Sequence, residues 1–428
     1  MNIEKKGAIL ARFVLSMVLM FLIGFNTFSM AEVPPVKIGG NFELTGKYAN
    51  YGKAFLDAAK FNIERKNAEG GIKSLGGAKI ELVVFDNATD PKLSISIVER
   101  LGSNSEILAI LGPCLTPCAV AAEPMIGRWK IPTVFDVVTL DDIFDRGNNY
   151  VFTVLVLTSR MAATYAEFMV TMHNNYGIPL DRITMGYPDN DLGKTVAKYF
   201  RETLQKRRYE KNIVADVPFD WLAKDLTPVV LKIKAAKPDF HMQVAYTEDG
   251  KLWHDACYTQ NFKPHQVGGA GGYNDPLLLN LLGDKIFGST LGNGKSFGFD
   301  MVSWGLPNAS RDAYLRDFQS KYPKMPYGQT YVLLGSMATQ VVIDAIEEAG
   351  KNNREAVTEA LHKMKLEKND PRDLTGMYET PGPIWMPNGK PNSYGYVIEW
   401  REEKGKWDKF SVYHPSRGIV TTPKAFKK

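Results

Sequence analysis

From Val36 onward, continuous apolar runs of strand length alternate with amphipathic stretches of helical spacing, and few folds tolerate that rhythm. Ile80–Phe85 reads IELVVF and Ile107–Leu111 reads ILAIL, as expected of strands covered on both faces. Between them Asp90-Pro91 opens a helix. The aspartate can accept from orphan amides, and the proline fills the first helical position, where no N–H is needed. Leu93, Ile97, Val98 and Leu101 follow at helical spacing. Repeated βαβ units of this kind imply parallel sheets with helices on both faces.

The alternation runs in two series. The first continues through a helix near Cys118–Trp129 and strands at Ile131–Phe135 and Tyr150–Leu155. The second runs from a helix at Arg160–Asn174 to a strand at Gln266–Gly269, with strands at Ile183–Tyr187, Asn212–Val217 and Phe240–Ala245. The intervening helices are expected at Gly193–Lys206, Leu222–Ala236 and Gly250–Gln260. Two doubly wound parallel-sheet lobes of the α/β class follow. Past Gly288 the pattern loosens, then recovers as a long helix over Thr330–Ala349, stopped by Gly350, and short strands at Tyr394–Trp400 and Phe410–His414.

The first residues carry an address. Lys5, Lys6 and Arg12 precede an apolar run from Phe13 to Phe25, too short for a bilayer, which takes ~20 apolar residues. Ser29-Met30-Ala31 offers the small residues a signal peptidase reads, so residues 1–31 are expected to be a cleaved signal peptide and the mature protein periplasmic. A net charge of +5 over 428 residues is too mild and too dispersed for a nucleic-acid footprint. Cys114, Cys118 and Cys257 are too few for a disulfide scaffold; Cys114 and Cys118 are close enough to pair in a turn, and the reading preferred over that disulfide is two buried thiols.

The segment VKIGGNFELTGKYANYGKA, Val36–Ala54, is a strand that ends in a loop of small, polar and aromatic residues and restarts as a helix at Tyr51-Gly52. Ligands of open α/β sheets sit at such strand ends. Export combined with this loop suggests capture of a small molecule.

The chain resembles the type I periplasmic binding proteins of the branched-chain amino acid uptake systems, the Leu/Ile/Val-binding protein family of ABC transporters. The resemblance rests on segments that match in order: Leu44-Thr45-Gly46 with Tyr51-Gly52, Gly112-Pro113 with Pro124 and Ile131-Pro132, Tyr150-Val151-Phe152, Gly283-Asp284, and Gly382–Trp385 with Asn388-Gly389. It implies two lobes joined by three crossovers near Val154, Leu291 and Gly389, with residues 32–154 and 292–388 in one lobe and 155–291 and 389–428 in the other. It also implies a ligand between the lobes, hinge closure, a membrane permease as partner, no cofactor and a monomer.

Site residues carried by the resemblance fall on particular positions. Leu115 and Thr116 lie in the loop after the ILAIL strand, where the family has a hydroxyl for the ligand carboxylate. A helix N-terminus suits an anion there. Thr139, seven residues after Pro132, matches a second such hydroxyl, with Asp136, Asp141 and Asp142 nearby. Tyr51 and Tyr246 match aromatics that pack on the ligand, and Leu192 stands where relatives carry an aromatic. Ala270 or Gly271 occupies the position of the acid that neutralises an α-ammonium group, and Tyr273 is placed to stack on a bulkier ligand. A buried ammonium without a counter-charge is costly. The expected ligand is therefore an apolar or aromatic carboxylate or a related compound rather than a standard α-amino acid. An amino-acid site completed by Asp275, and an exported sensor with the same fold, remain open alternatives.

Other motifs carry less. Gly294-Lys295-Ser296-Phe297-Gly298 fits a hydrolase pattern but lacks the strand before it and helix after it that a nucleophile elbow needs. GDKIFGST at Gly283–Thr290 has Ser289 where a phosphate-binding loop needs lysine. His254 and Cys257 have no second pair at metal-ligand spacing. No catalytic pair is apparent, and the chain is not expected to be an enzyme.

Overall fold

The computed structural model describes residues 33–269, 276–290, 296–301, 309–367, 369–378, 382–404 and 406–424. Two compact units result, one ending at Pro34 and one spanning Pro35–Lys428; the second is the subject below.

Its first sheet holds β1 (Val36–Phe42), β2 (Ile80–Asp86), β3 (Ile107–Leu111), β4 (Thr133–Phe135) and β5 (Val151–Thr153), all parallel in the order β2-β1-β3-β4-β5. β3 is buried along its whole length, as its unbroken apolar sequence requires. The second sheet holds β6 (Ile183–Pro188), β7 (Ile213–Phe219), β8 (Phe240–Val244), β9 (Gln266–Gly269) and β10 (Ser296–Met301), parallel in the order β7-β6-β8-β9-β10. Both sheets thus repeat one winding. In each, the first strand in sequence lies inside the second, and chain direction across the sheet reverses beside it.

The C-terminal edge differs from a purely parallel design. β13 (Val397–Glu403), β14 (Lys406–His414) and β15 (Gly418–Ile419) add to β10 in antiparallel fashion. A minor two-stranded pair joins β11 (Lys365–Leu366) to β12 (Gly382–Pro383). Because β10 pairs with β9, residues 296–301 belong with the second sheet and not, as expected from a crossover near Leu291, with the first. The short loop between β13 and β14 permits only an antiparallel neighbour.

Helix ends follow local chemistry. Asp90 accepts from the Lys92 amide ahead of Pro91 and starts the helix Pro91–Ser103, as its sequence implies. The helix expected from Leu222 begins only at Thr227, because Asp225 takes the amide and hydroxyl of Thr227 and Pro228 occupies the first turn. Helices Ala309–Lys321 and Arg354–Lys363 were not expected; the second is capped by Asn353, whose side chain accepts from the Ala356 amide.

The chain passes between the sheets at Val154–Leu157, a run whose residues are all buried. The return segment lies against it. Trp385 Nε1 donates to the Thr153 carbonyl at 2.6 Å, Tyr378 donates to the Val154 carbonyl at 3.1 Å, and Arg160 donates to the Ser393 carbonyl at 2.7 Å.

Two glycines seat the helices that follow the leading strands. A Cβ on Gly52 would strike the backbone of Glu43, and one on Gly193 would strike the carbonyl of Pro188. The helices Ala49–Ala68 and Asp191–Lys206 therefore rest their first turns directly on the ends of β1 and β6. Gly52→Ala is expected to destabilise the fold by about 1–3 kcal/mol through overpacking. Urea denaturation measures this, and an unchanged midpoint would mean that the helix does not approach the strand end this closely.

Candidate ligand-binding cleft

In sheets wound in the order 2-1-3-4-5 the ligand crevice opens beside the first strand, where neighbouring loops diverge. In the first sheet that point lies between β1 and β3, and the loops there carry Lys47–Tyr51 and Cys114–Thr116. In the second it lies between β6 and β8, whose loops carry Asn190–Leu192 and Tyr246–Thr247. These two sets meet. Tyr51, Cys114, Thr116, Val137, Thr139, Leu155, Met161, Leu192 and Tyr246 line one cavity of about 20 Å³, room for little more than a water molecule.

The seam around the cavity is made of named contacts. The Tyr51 hydroxyl accepts from the Thr247 amide at 2.7 Å and from the Tyr331 hydroxyl at 2.9 Å. Tyr48 donates to the Trp221 carbonyl at 2.6 Å and its ring stacks on Trp221 at 5.9 Å. Lys47 Nζ reaches Asp249 at 2.7 Å and the carbonyls of Trp221 and Ala223 at 2.7 and 3.0 Å. The Asp249 side chain is 1% exposed. Burial raises its pKa, and the Lys47 ammonium opposes that rise.

Two buried polar groups beside the cavity have no hydrogen-bond partner among the described residues: the Tyr246 hydroxyl and Asn190 Nδ2. Asn190 Oδ1 caps the helix Asp191–Lys206 by accepting from the Gly193 amide at 3.0 Å, which fixes Nδ2 as a donor. Asn190 and Thr116 act on the Tyr246 hydroxyl closely enough to lower its pKa against the dominant upward effect of burial. Orphaned buried groups of this kind are rare in folded proteins.

Thr116 does not cap its own helix. Leu115 holds the cap position of Thr116–Trp129 without a side-chain bond, and Glu43 supplies the acceptor instead. Its carboxylate takes the amides of Cys114 and Leu115 at 3.1 and 3.2 Å and the Asn87 side chain at 3.1 Å. The anion-binding end of this helix is thus partly filled by the protein itself. Thr139 faces the cavity, but its hydroxyl pairs with that of Thr158 at 2.8 Å.

The three acids near Thr139 take different places. Asp141 turns toward the amide and hydroxyl of Ser159, at 2.9 and 2.6 Å, and Asp142 is exposed. Asp136 is buried behind the cavity wall, 3.6 Å from the Cys114 thiol. Burial, reinforced by the nearby Glu43, pushes its pKa up to about 8. Cys114, Cys118 and Cys257 are free and buried. Burial raises all three thiols, which leaves them poor nucleophiles.

Of the positions expected from sequence, Tyr51, Thr116, Thr139, Leu192 and Tyr246 share the cavity, and Leu115 lies behind it as the helix cap. Ala270, Gly271 and Tyr273, together with Asp275, lie outside the described residues. Sequence reasoning missed Cys114, Val137, Leu155, Met161, Asn190 and Tyr331. Each stands within a few residues of a strand end or in the first turn of a helix, so position alone was the available signal. Ser296 of the hydrolase-like pattern opens strand β10 rather than a turn into a helix. His254 pairs with Ser289 at 2.8 Å.

Two α/β sheets whose ligand crevices face one another across a seam define a solute-binding protein of the two-lobed class. The periplasmic binding protein family model matches residues 35–406, and the chain belongs to that family, in its type I branch of Leu/Ile/Val-binding proteins. These are substrate-binding proteins of ABC transporters, a transport class and not an enzyme class. The chain is 26% identical over 344 residues to Leu/Ile/Val-binding protein homolog 7 of Brucella abortus, covering 78% of this chain and 82% of that one. The fold is similar to the branched-chain amino acid transporter substrate binding protein LivJ of Streptococcus pneumoniae in complex with isoleucine. That likeness has a TM-score of 0.71 at 22% identity and covers 89% of this chain and 100% of that one. A solute binding protein of an ABC transporter from Rhodopseudomonas palustris in complex with 3,4-dihydroxybenzoic acid matches with a TM-score of 0.70 at 21% identity, covering 88% and 97%.

Asp136 makes stability depend on pH. A carboxyl with a folded pKa near 8 and an unfolded value of ~3.9 binds its proton more tightly when folded. Its stabilisation is complete below about pH 4 and is lost as pH rises through about 8. Asp136→Asn, compared with the natural protein by urea denaturation between pH 5 and 9, should lack this decline, and parallel profiles would exclude a protonated Asp136.

Proposed function

We propose that this protein captures a small apolar or aromatic carboxylate, or a related acceptor-headed compound, in the cleft and presents it to a membrane permease. The observation that carries this reading is the pair of buried, unpartnered groups at Tyr246 and Asn190, with the Thr116 hydroxyl close to them on the cavity wall. Asn190 Nδ2 can only donate, and the hydroxyls of Tyr246 and Thr116 are able to, which suits the oxygens of a carboxylate or carbonyl. The acids nearby are engaged: Asp249 by Lys47, Glu43 by amides, and Asp136 by its own proton. An ammonium group therefore finds no ready counter-charge among the described residues. Tyr51, Leu155, Met161 and Leu192 supply an apolar wall for the rest of the ligand.

The cavity of about 20 Å³ is smaller than any such ligand, so uptake requires the sheets to part and close again around the guest. Hinging is proposed at Val154–Leu157 and at the segment before Val397. The Lys47–Asp249 pair then acts as a latch of the shut state. Residues 1–31 are proposed as the cleaved signal peptide that brings the protein to the periplasm. Known relatives bind isoleucine in one case and 3,4-dihydroxybenzoic acid in another, and the donor set here favours the second type.

A thermal-shift screen should give larger stabilisation with benzoate-type and branched aliphatic acids than with leucine or valine. Leucine giving the largest shift would overturn the proposed ligand class. Thr116→Val and Tyr246→Phe should each weaken a bound acid by roughly 10- to 100-fold in calorimetric titration, the range for hydrogen bonds to charged groups. Lys47→Met leaves Asp249 buried and unpaired. It should shift the scattering radius toward an open form and lower ligand affinity at least tenfold; an unchanged radius and affinity would remove the latch from the closing mechanism.

A further inference from the structure

Beside the cleft lies a second and larger hollow of about 600 Å³, within the size range of small-molecule sites. Its wall is formed by Leu222, Ala223, Leu252, Leu277 and Leu281, while Lys47 and Asn50 reach over it from the β1 side. Leu222 and Leu281 remain 48% and 47% exposed. Apolar surface gathered into a concave patch marks a place of contact, unlike scattered surface leucines. The hollow is separate from the inner cavity. Tyr51 lines one and Thr247 the other, and the 2.7 Å hydrogen bond between the Thr247 amide and the Tyr51 hydroxyl forms the partition.

The charges around the rim are uneven. Lys47 is committed to Asp249, and Lys251 to Asp255 at 2.6 Å. Lys224 has no carboxylate partner among the described residues, because its sequence neighbours are occupied elsewhere. Asp220 accepts from the Leu222 amide at 2.9 Å, and Asp225 accepts from the amide and hydroxyl of Thr227. Glu248 is on the wall as well and takes the Asn50 side chain at 3.5 Å.

We propose that the hollow is a second binding site, for a single apolar chain ending in an anion, such as a medium-length linear carboxylate. The chain lies on the leucines and the head meets Lys224. The assignment does not depend on which ligand fills the inner cleft. Because the hollow is built from loops of both sheets, its occupant binds best when they are together, so it reinforces closure.

Calorimetric titration of the purified protein with hexanoate, octanoate and decanoate tests this. Saturable one-to-one binding is expected, tightening roughly tenfold with each two added carbons as methylenes leave water. Leu281→Asp should weaken decanoate at least tenfold and Lys224→Glu several-fold, both at exposed positions that the fold does not need, whereas Thr116→Val should leave it unchanged. Absence of saturable binding, many-to-one partitioning, or insensitivity to both Leu281→Asp and Lys224→Glu would overturn the proposal. So would loss of decanoate binding in Thr116→Val, which would place the chain in the inner cleft.

Discussion

A partly exposed lysine from one side of the seam and a buried aspartate from the other hold the seam on which the cleft depends. Lys47 and Asp249 are 2.7 Å apart, and the ammonium also meets two backbone carbonyls. Such a pair adds little net stability compared with a well-packed apolar contact, but separating it leaves a charge poorly solvated. The energetic meaning is directional. With the sheets together the charges compensate each other, and in the proposed open form each would have to recover water. Tyr48 and Tyr51 extend the same seam with neutral hydroxyl contacts to Trp221 and Thr247.

The cleft chemistry follows from how the helices begin. Asn190 spends its oxygen on a helix cap, which leaves its nitrogen beside the Tyr246 hydroxyl. Glu43 spends its carboxylate on the amides ahead of Thr116, which frees the threonine hydroxyl from capping. Gly52 and Gly193 let the two helices press onto their strands, and the residues just before them, Tyr51 and Leu192, become cavity wall. The side chains that satisfy the backbone here are thus the same ones that shape the proposed ligand site.

Much of this was legible in the sequence. The alternation of apolar runs and capped helices specified two α/β lobes, because buried parallel strands such as ILAIL leave little ambiguity of period. The resemblance to the binding-protein family then pointed to Tyr51, Thr116, Thr139, Leu192 and Tyr246, which share one cavity. What stayed hidden depended on three-dimensional pairing. Nothing local reveals that β10 joins the second sheet, since register between distant strands is set by tertiary contact. Likewise, Glu43 and Asp136 are separated by most of the first sheet in sequence, and only the fold brings one to raise the pKa of the other. Lys47 reads as an ordinary surface lysine until Asp249 and the Trp221 carbonyl appear beside it.

The placement of Glu43 has one more implication. Because an internal carboxylate already rests on the Cys114 and Leu115 amides, the turn that presents Thr116 keeps its shape whether or not a guest is present. A molecule bound as proposed would meet a surface already set and would forfeit little freedom of the chain in docking there. On the opposite face Tyr246 and Asn190 keep buried polar groups that no other described residue satisfies.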